Sequence, residues 1–400
     1  MRYIAPAGTR LSLFDITAGL GAGMTGNAAD ELARELAARS GQPRAWLMSS
    51  GRAAMTFMLR AMRTLAPPTR NEVVVAGYTC YSVAASVELA GLTARLVDID
   101  PRTLSPDTRQ LRDMDLSRVL CVVSANLYGI PNALGEIEAI ARDAGVFMID
   151  DAAQALGALH AGRPVGGFGD AGLFSFDKGK IITTLQGGSI VAREGPVASA
   201  IDAAHASLDS ASAAQTLSYA VKLGLYGVLL RPALYGIVQR MPGLGLGQTR
   251  YEKDYPIARY SGTLAGLALR LARRLDALNA VRARNAGALR AALEDVPGIR
   301  VLPEIAGDRP VYCRYPVFVT DPARRSGFIA ALNAAGIGAT ASYPHALADV
   351  PEAAQALAPA QAPQDGARLV ARSIVTLPTH GWCSADMPDR VQDVARRTLA

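Results

Sequence analysis

Between residues 27 and 192 the spacing of apolar and polar positions switches repeatedly between two periods. Unbroken apolar runs, many of them β-branched, predict strands. These are AWLM at 45–48, VVVA at 73–76, ARLVDID at 94–100, VLCVVSAN at 119–126, VFMID at 146–150, AGLFSF at 171–176 and GGSIVA at 187–192. Helical spacing fills the gaps. Asn27 caps a helix to about Arg39, a second helix opens in SSGRAAMTFMLRAM, SVAASVELA at 82–90 stops at Gly91, and EIEAIARDA precedes VFMID. Strands apolar on both faces and separated by helices predict a mostly parallel sheet, covered on both sides.

Residues 200–262 are less regular and contain a strongly apolar stretch, 216–249. From 263 to 295 the spacing predicts one long amphipathic helical stretch with arginines on its polar face. RYPVFVTD, RRSGFIAALNAAGIG and SIVTLPTH then predict a strand, a helix and a strand of a smaller α+β unit. The expected division is a large domain, 1–262, with an insert at about 205–255, and a small domain, 263–400.

Composition narrows the possibilities. At 50% hydrophobic and 19% charged residues, the 400-residue chain is not disordered. Its net charge of +6 is spread without a basic block, which suits an anionic small ligand and argues against nucleic acid. Cys80, Cys121, Cys313 and Cys383 form no CxxC, and His160, His205, His345 and His380 have no metal spacing. No metal site is expected, and a reducing, cytoplasmic compartment is. The first fifteen residues have no long apolar core, so no export signal is expected. Within 216–249 the uncharged run between Lys222 and Arg231 is far shorter than the roughly 20 residues of a membrane span. Two readings stay open for that stretch: a buried helix pair at a subunit interface, or a peripheral membrane contact.

Two segments carry candidate chemistry. GAGMTG at 21–26 fits GxGxxG, but a dinucleotide site needs an acid about 20 residues on, and WLMSS lies there instead. The second segment is DDAAQALGALHAGRPVGGFGDAGLFSFDKGK, residues 150–180. An acid at the carboxyl end of a strand is where open α/β sheets meet their ligands. Two acids, Asp150 and Asp151, and two lysines, Lys178 and Lys180, compete for roles there.

This second segment resembles the DegT/DnrJ/StrS family of sugar aminotransferases, in which DAAQAxGA is followed by GD-xx-FSF-xxx-K and a glycine pair. Here these are DAAQALGA at 151–158, GDAGLFSFDKGK at 169–180 and Gly187-Gly188. SGRAAM at 50–55, YTCYSVAASVELAG at 78–91, NLYGIP at 126–131, RYPVFV, GIGATASYPHAL and TLPTH are similar to further family segments, in the family's order. The resemblance implies a pyridoxal phosphate (PLP)-dependent transferase of the type I, aspartate-aminotransferase-like fold. That is an α/β fold with a mixed, mostly parallel sheet, helices on both faces and a smaller α+β C-terminal domain. It implies a homodimer that moves an amino group from an amino acid, glutamate foremost, to a keto group of a nucleotide-linked sugar, as in polysaccharide biosynthesis.

By the same resemblance Lys180 is the Schiff-base lysine and proton carrier, and its amine must be unprotonated to attack. Asp151 pairs with the pyridine nitrogen and keeps the ring an electron sink. Gln154 lies near the ring oxygen. Ser175 and the amides of Gly51, Arg52 and Ala53, at a helix start, hold the phosphate. Cys80 stands where the family stacks an aromatic residue on the ring, with Tyr78 and Tyr81 beside it; the stacking residue stays open. Arg52 replaces the usual Thr, Asn126 stands at a frequent His, and His345 is a candidate for the substrate site. Arg259 and Ile257 fall at the arginine and asparagine of a segment that reaches the neighbouring subunit's phosphate. Two further readings remain: a PLP enzyme acting on another, lipid-linked, carbonyl substrate, and a non-catalytic descendant binding a partner or membrane.

Overall fold

The structure is a computed structural model that describes residues 3–238, 251–359 and 361–399. In chain order, α1 (Leu13–Thr25), α2 (Ala28–Ser40), β1 (Arg44–Met48), α3 (Gly51–Arg63), β2 (Glu72–Ala76), α4 (Tyr81–Leu89) and β3 (Thr93–Val97) come first. Then follow α5 (Thr108–Asp113), β4 (Val119–Ala125), α6 (Leu134–Asp143), β5 (Phe147–Asp151), a short hairpin of β6 (Leu159–His160) and β7 (Arg163–Pro164), β8 (Ala171–Ser175) and β9 (Gly188–Ala192). Each of the seven apolar runs forms a strand, and together they make one sheet in the order β1-β9-β8-β5-β4-β2-β3. Only β9 runs against the others.

Alternation along these strands feeds two cores. Val73, Val75, Cys121, Val123, Ile149 and Leu173 face α3 and α4, whereas Val74, Val122, Met148 and Phe174 face α1, α2 and α6. The chain leaves β2 toward β3 on one side and returns to β4 on the other. A crevice therefore opens beyond the carboxyl ends of β2 and β4, the position at which such sheets bind ligands.

The second half holds α7 (Pro196–His205), α8 (Ala213–Leu229), α9 (Pro232–Val238), α10 (Gly262–Ala272) and α11 (Leu275–Leu293). A three-stranded antiparallel sheet follows, β10 (Ile299–Val301), β11 (Tyr315–Val319) and β12 (Ile374–Leu377), with α12 (Arg325–Ala334), α13 (Asp365–Ser373) and α14 (Met387–Leu399). Its core of Leu289, Leu293, Val317, Phe328, Val375 and Val391 is separate from the two of the large sheet.

One expectation is corrected here. The stretch 263–295 is two helices, broken at Arg273-Arg274. Leu264, Leu267 and Leu271 of α10 pack in the large-sheet core with α1 and α2, while Ala286, Leu289 and Leu293 of α11 belong to the small-sheet core. One straight rod cannot serve both. Arg270 and Arg274 also both grip buried Asp15 of α1, at 2.8 and 2.9 Å, and fix the end of α10.

GAGMTG, set aside above as a dinucleotide motif, is helical: residues 21–25 complete α1. Its glycines let two helices touch backbone to backbone. A Cβ at Gly23 would lie 2.3 Å from the Thr263 carbonyl oxygen, and one at Gly266 would lie 2.1 Å from that of Gly19. Gly21 faces open space.

Asp150 is a structural clamp. It points from β5 to the face opposite Asp151, and its carboxylate accepts from Gly166 N (2.6 Å), Phe168 N (3.2 Å) and Asn126 Nδ2 (2.7 Å). Asn126 also donates to the Asp151 carbonyl at 3.0 Å, so this residue, expected at a His position of the site, serves the scaffold.

Two outcomes follow from the packing. Gly266→Val should destabilise the fold by about 1–3 kcal/mol through overpacking, whereas Gly21→Ala should stabilise it by up to about 1 kcal/mol through helix propensity. Denaturant titration reads both. Burial pushes the Asp150 carboxyl up to about 7, above its unfolded value, so the native state binds the extra proton. Its contribution to stability is therefore complete at low pH and is lost as pH rises through about 7. Asp150→Asn should flatten the pH dependence of the unfolding free energy in that window.

Candidate functional site

The carboxyl ends of β2, β4, β5 and β8 bring the expected residues to one place. Asp151 is the last residue of β5 and is 8% exposed. Its Oδ1 accepts from Ala153 N at 3.0 Å. Burial raises the Asp151 carboxyl above its ordinary value, and the positive charge of Lys180 opposes that rise. The two groups are therefore close enough for the charge of one to act on the other. Lys180 is partly buried in the turn after β8, where its N–H donates to the Asp177 carbonyl at 3.2 Å. Lys178 is exposed, with Asp177 Oδ1 accepting from its backbone N–H at 2.7 Å. The rival residues thus differ in surroundings: Lys180 is partly buried and its charge acts on Asp151, whereas Lys178 is exposed and Asp150 is engaged by Gly166, Phe168 and Asn126.

The Lys180 turn is held from a distance. Thr9 donates its hydroxyl to the carbonyls of Lys180 (3.0 Å) and Ile181 (2.7 Å). Arg282 of α11, 2% exposed, donates to Gly8 O at 2.7 Å and to Cys313 O at 3.1 Å. The N-terminal strap, α11 and the Cys313 turn are thereby tied around the lysine.

The start of α3 lies across from the end of β8 with no space between them. A Cβ on Gly51 would sit 2.9 Å from Ser175 Cβ, and one on Gly188 would sit 2.7 Å from Gly51 N. Ser175, 9% exposed, accepts from Asp177 N at 3.4 Å. Of the three amides expected to hold phosphate, that of Ala53 is already engaged: it donates to the Ser50 Oγ cap at 3.0 Å. The amides of Gly51 and Arg52 occupy the first two helical positions, which have no acceptor within a helix. The Arg52 guanidinium turns elsewhere, paired with Glu252 at 2.7 Å and lying over the Tyr255 ring at 4.9 Å. Only its backbone belongs to the cradle.

Gln154 joins the two halves of the site. Its Oε1 accepts from Tyr128 N at 3.1 Å, and its Nε2 donates to Tyr343 Oη at 3.1 Å. Of the three candidates to flank a ring, Tyr78 is fully buried and bonded to Tyr128 Oη at 3.1 Å. Tyr81 is occupied with the backbone N–H and carbonyl of His345. Cys80, at the N-cap of α4, keeps partial exposure and accepts from Ser82 Oγ at 3.0 Å. The His345 ring is exposed, so this residue acts on the site through its backbone. Arg259 pairs with Met48 beside the cradle, and its Nε is buried without a partner, while Ile257 packs into the large core.

Three residues were given no role from the sequence. Tyr128 and Tyr343 wall the crevice, and burial pushes the Tyr128 phenol up to about 12, so it stays a neutral donor. Tyr128 and Ser342 hold positive φ values of 60°, strain of the kind that collects at functional sites. Arg314 is the third. Its NH2 lies 3.6 Å from where a Gly179 Cβ would be, and its charge is felt by Tyr128 and Tyr343. No acid is paired with Arg314 among the described residues. In the sequence, the nearest signal was the NLYG and SYPHAL strings themselves.

The residues present fit pyridoxal phosphate. Asp151 is a desolvated carboxylate, the helix start at Gly51 and Arg52 has amides with no acceptor within the helix and packs too tightly on Ser175 and Gly188 for a side chain, and the buried Thr79 hydroxyl beside Cys80 has no partner.

Comparison with known proteins agrees. Over 128 residues the chain is 38% identical to GDP-perosamine synthase of Caulobacter vibrioides, covering 32% of this chain and 34% of that one. Over 166 residues it is 33% identical to the UDP-N-acetyl-3-dehydro-alpha-D-glucosamine 3-aminotransferase of Acidithiobacillus ferrooxidans, covering 42% and 44%. The matched part thus spans well under half of these relatives. Among solved structures, Helicobacter pylori PseC, an aminotransferase involved in pseudoaminic acid biosynthesis, superposes with a TM-score of 0.81 at 17% identity, covering 100% of this chain and 99% of that one. A Brucella abortus DegT DnrJ EryC1 StrS aminotransferase gives 0.75 at 22%, covering 96% and 95%. These two share the fold. The profile of the DegT/DnrJ/EryC1/StrS aminotransferase family matches residues 13–228 and 237–396, and the chain belongs to that family.

Proposed function

We propose that the protein is an aminotransferase that moves an amino group from an amino acid, glutamate foremost, to the keto group of a nucleotide-linked sugar. The observation that carries this reading is buried Asp151 at the end of β5 within the electrostatic reach of Lys180, beside the helix start at Gly51 that packs tightly on Ser175. The family's cofactor is pyridoxal 5′-phosphate, which supplies an electron sink when bound. Asp151 would hold the proton of its ring nitrogen, the amides of Gly51 and Arg52 with Ser175 its phosphate, and Gln154 its ring oxygen. Cys80 would lie against the ring face.

Lys180 Nζ would take the proton from the donor's α-carbon and return it, the role for which a partly buried amine opposite an acid is suited. Arg314, with no acid of its own among the described residues, would anchor a donor carboxylate within reach of Lys180. Tyr128 and Tyr343, neutral and bonded into the wall, would exclude water. A homodimer working in the cytoplasm fits this reading, with Arg259 available near the cradle. A second reading, a lipid-linked carbonyl substrate, is favoured by one observation: Leu217, Val221 and Leu225 of α8 are each more than half exposed.

Lys180→Ala should abolish the visible absorbance of bound cofactor and cut transamination roughly 10³-fold or more, while Lys178→Ala leaves both near wild type. A Lys180→Ala protein that retains the spectrum and the rate would sink the reading. Arg314→Leu should raise KM for glutamate by about tenfold or more, the loss of one charge-assisted carboxylate contact, with KM for the sugar little changed. A panel of keto-sugar nucleotides against membrane-extracted carbonyl substrates separates the two acceptor classes.

A further inference from the structure

The α8–α9 segment has an outward face that the large sheet does not use. α8 begins with a capping box, in which Ser212 Oγ accepts from Gln215 N, and runs 17 residues. One side packs inward: Leu223 and Gly227 are buried, and a Cβ on Gly227 would meet Ile16 of α1 at 2.9 Å. The other side repeats every four residues and is apolar. Leu217, Val221 and Leu225 are 67%, 58% and 56% exposed, and Leu229 continues the row. α1, packed against α8, leaves Leu13 and Phe14 exposed as well. Exposed apolar rows of this length mark contact surfaces rather than ordinary solvent faces.

Charge decides what the surface meets. The whole chain carries 35 acids, yet none falls in residues 210–251. On α1 the acid is Asp15, buried and spent on Arg270 and Arg274. The charged side chains that flank the apolar row are exposed cations: Lys222, over the Tyr219 ring at 4.8 Å, and Arg231 at the α8–α9 junction. A two-fold interface centred on this patch would gather its cations with no acid of the patch to pair them. An anionic bilayer surface matches it in both respects, with apolar side chains for the acyl boundary and cations for the headgroups. No helix among the described residues is long and apolar enough to cross a membrane, so the contact is one of lying on the surface.

The segment also adjoins the reactive lysine. Tyr3 N donates to Pro232 O at 2.8 Å, and the Tyr3 ring stacks on Tyr235 of α9 at 5.7 Å. Six residues on, Thr9 holds the Lys180 turn. We infer that the exposed face of α8, with the start of α1, docks the protein peripherally on an anionic phospholipid surface and presents the crevice mouth near it. The docking does not depend on the acceptor being a nucleotide sugar.

The test is co-sedimentation of the PLP-loaded full chain with vesicles of phosphatidylcholine alone or mixed equally with phosphatidylglycerol. Binding to the anionic vesicles should exceed binding to the neutral ones at least tenfold and fall as salt rises. The triple variant Leu217→Ser/Val221→Ser/Leu225→Ser should lose at least tenfold. Lys222→Glu/Arg231→Glu should lose about fivefold or more per site on anionic vesicles only. Circular dichroism and the bound-cofactor spectrum check folding; should the triple variant misfold, the charge variant decides. No binding by the wild type overturns the proposal, as does binding indifferent to both variants. A triple variant that changes from dimer to monomer in light scattering assigns the face to a second copy and also overturns it. A protein that sediments but transfers no amino group would count against the activity reading alone.

Discussion

A carboxylate withdrawn from water at the end of a central strand, with a lysine opposite, is the constraint around which the site is arranged. Burying Asp151 costs free energy unless a cation or a proton donor answers it. Lys180 is one such answer, and a protonated ring nitrogen would be another. The surrounding contacts keep that pairing in register. Thr9 fixes the carbonyls of the lysine turn, and Arg282 ties the strap to the small domain. Asp150, one residue earlier, anchors the 166–168 loop from the opposite face of the same strand. Adjacent acids of like chemistry thus do unrelated work because a strand turns successive side chains to opposite sides.

Much of this was readable in the chain. Each strand of the large sheet announced itself as an apolar run, since a strand buried on both faces has no polar residue to interrupt it. The lysine and acid were readable only through their motif; the residues alone left Lys178 against Lys180 and Asp150 against Asp151. What could not be read depends on partners far along the chain. The glycines of α1 look like a loop or a nucleotide motif until Gly266 is placed against Gly19. The break at Arg273-Arg274 has no Pro or Gly to signal it, because it arises from two cores that are not collinear. Arg52 stood in the sequence only as a replacement for the usual Thr, and Glu252 and Tyr255, far along the chain, take its guanidinium. Residues 239–249 of the apolar stretch lie outside the described residues.

α8 and α9 lie at the periphery of the large sheet, and the Lys180 turn lies at its strand ends. Here the same short strap touches both, through Tyr3 at α9 and Thr9 at Lys180. The exposed apolar face of α8 and the Lys180 turn are then parts of one packed unit.

The strap also bears on the order in which the molecule is assembled. The hydrogen bonds from Thr9 to the lysine turn span 171 and 172 positions of chain, and that from Arg282 to Gly8 spans 274. Contacts of such separation pay a large loop-closure entropy before they return anything, and they form after the local helices and neighbouring strands. The turn that carries Lys180 therefore reaches its final shape late, once α11 has been synthesised and has docked. A nascent chain can build most of its parallel sheet while the pocket is still immature.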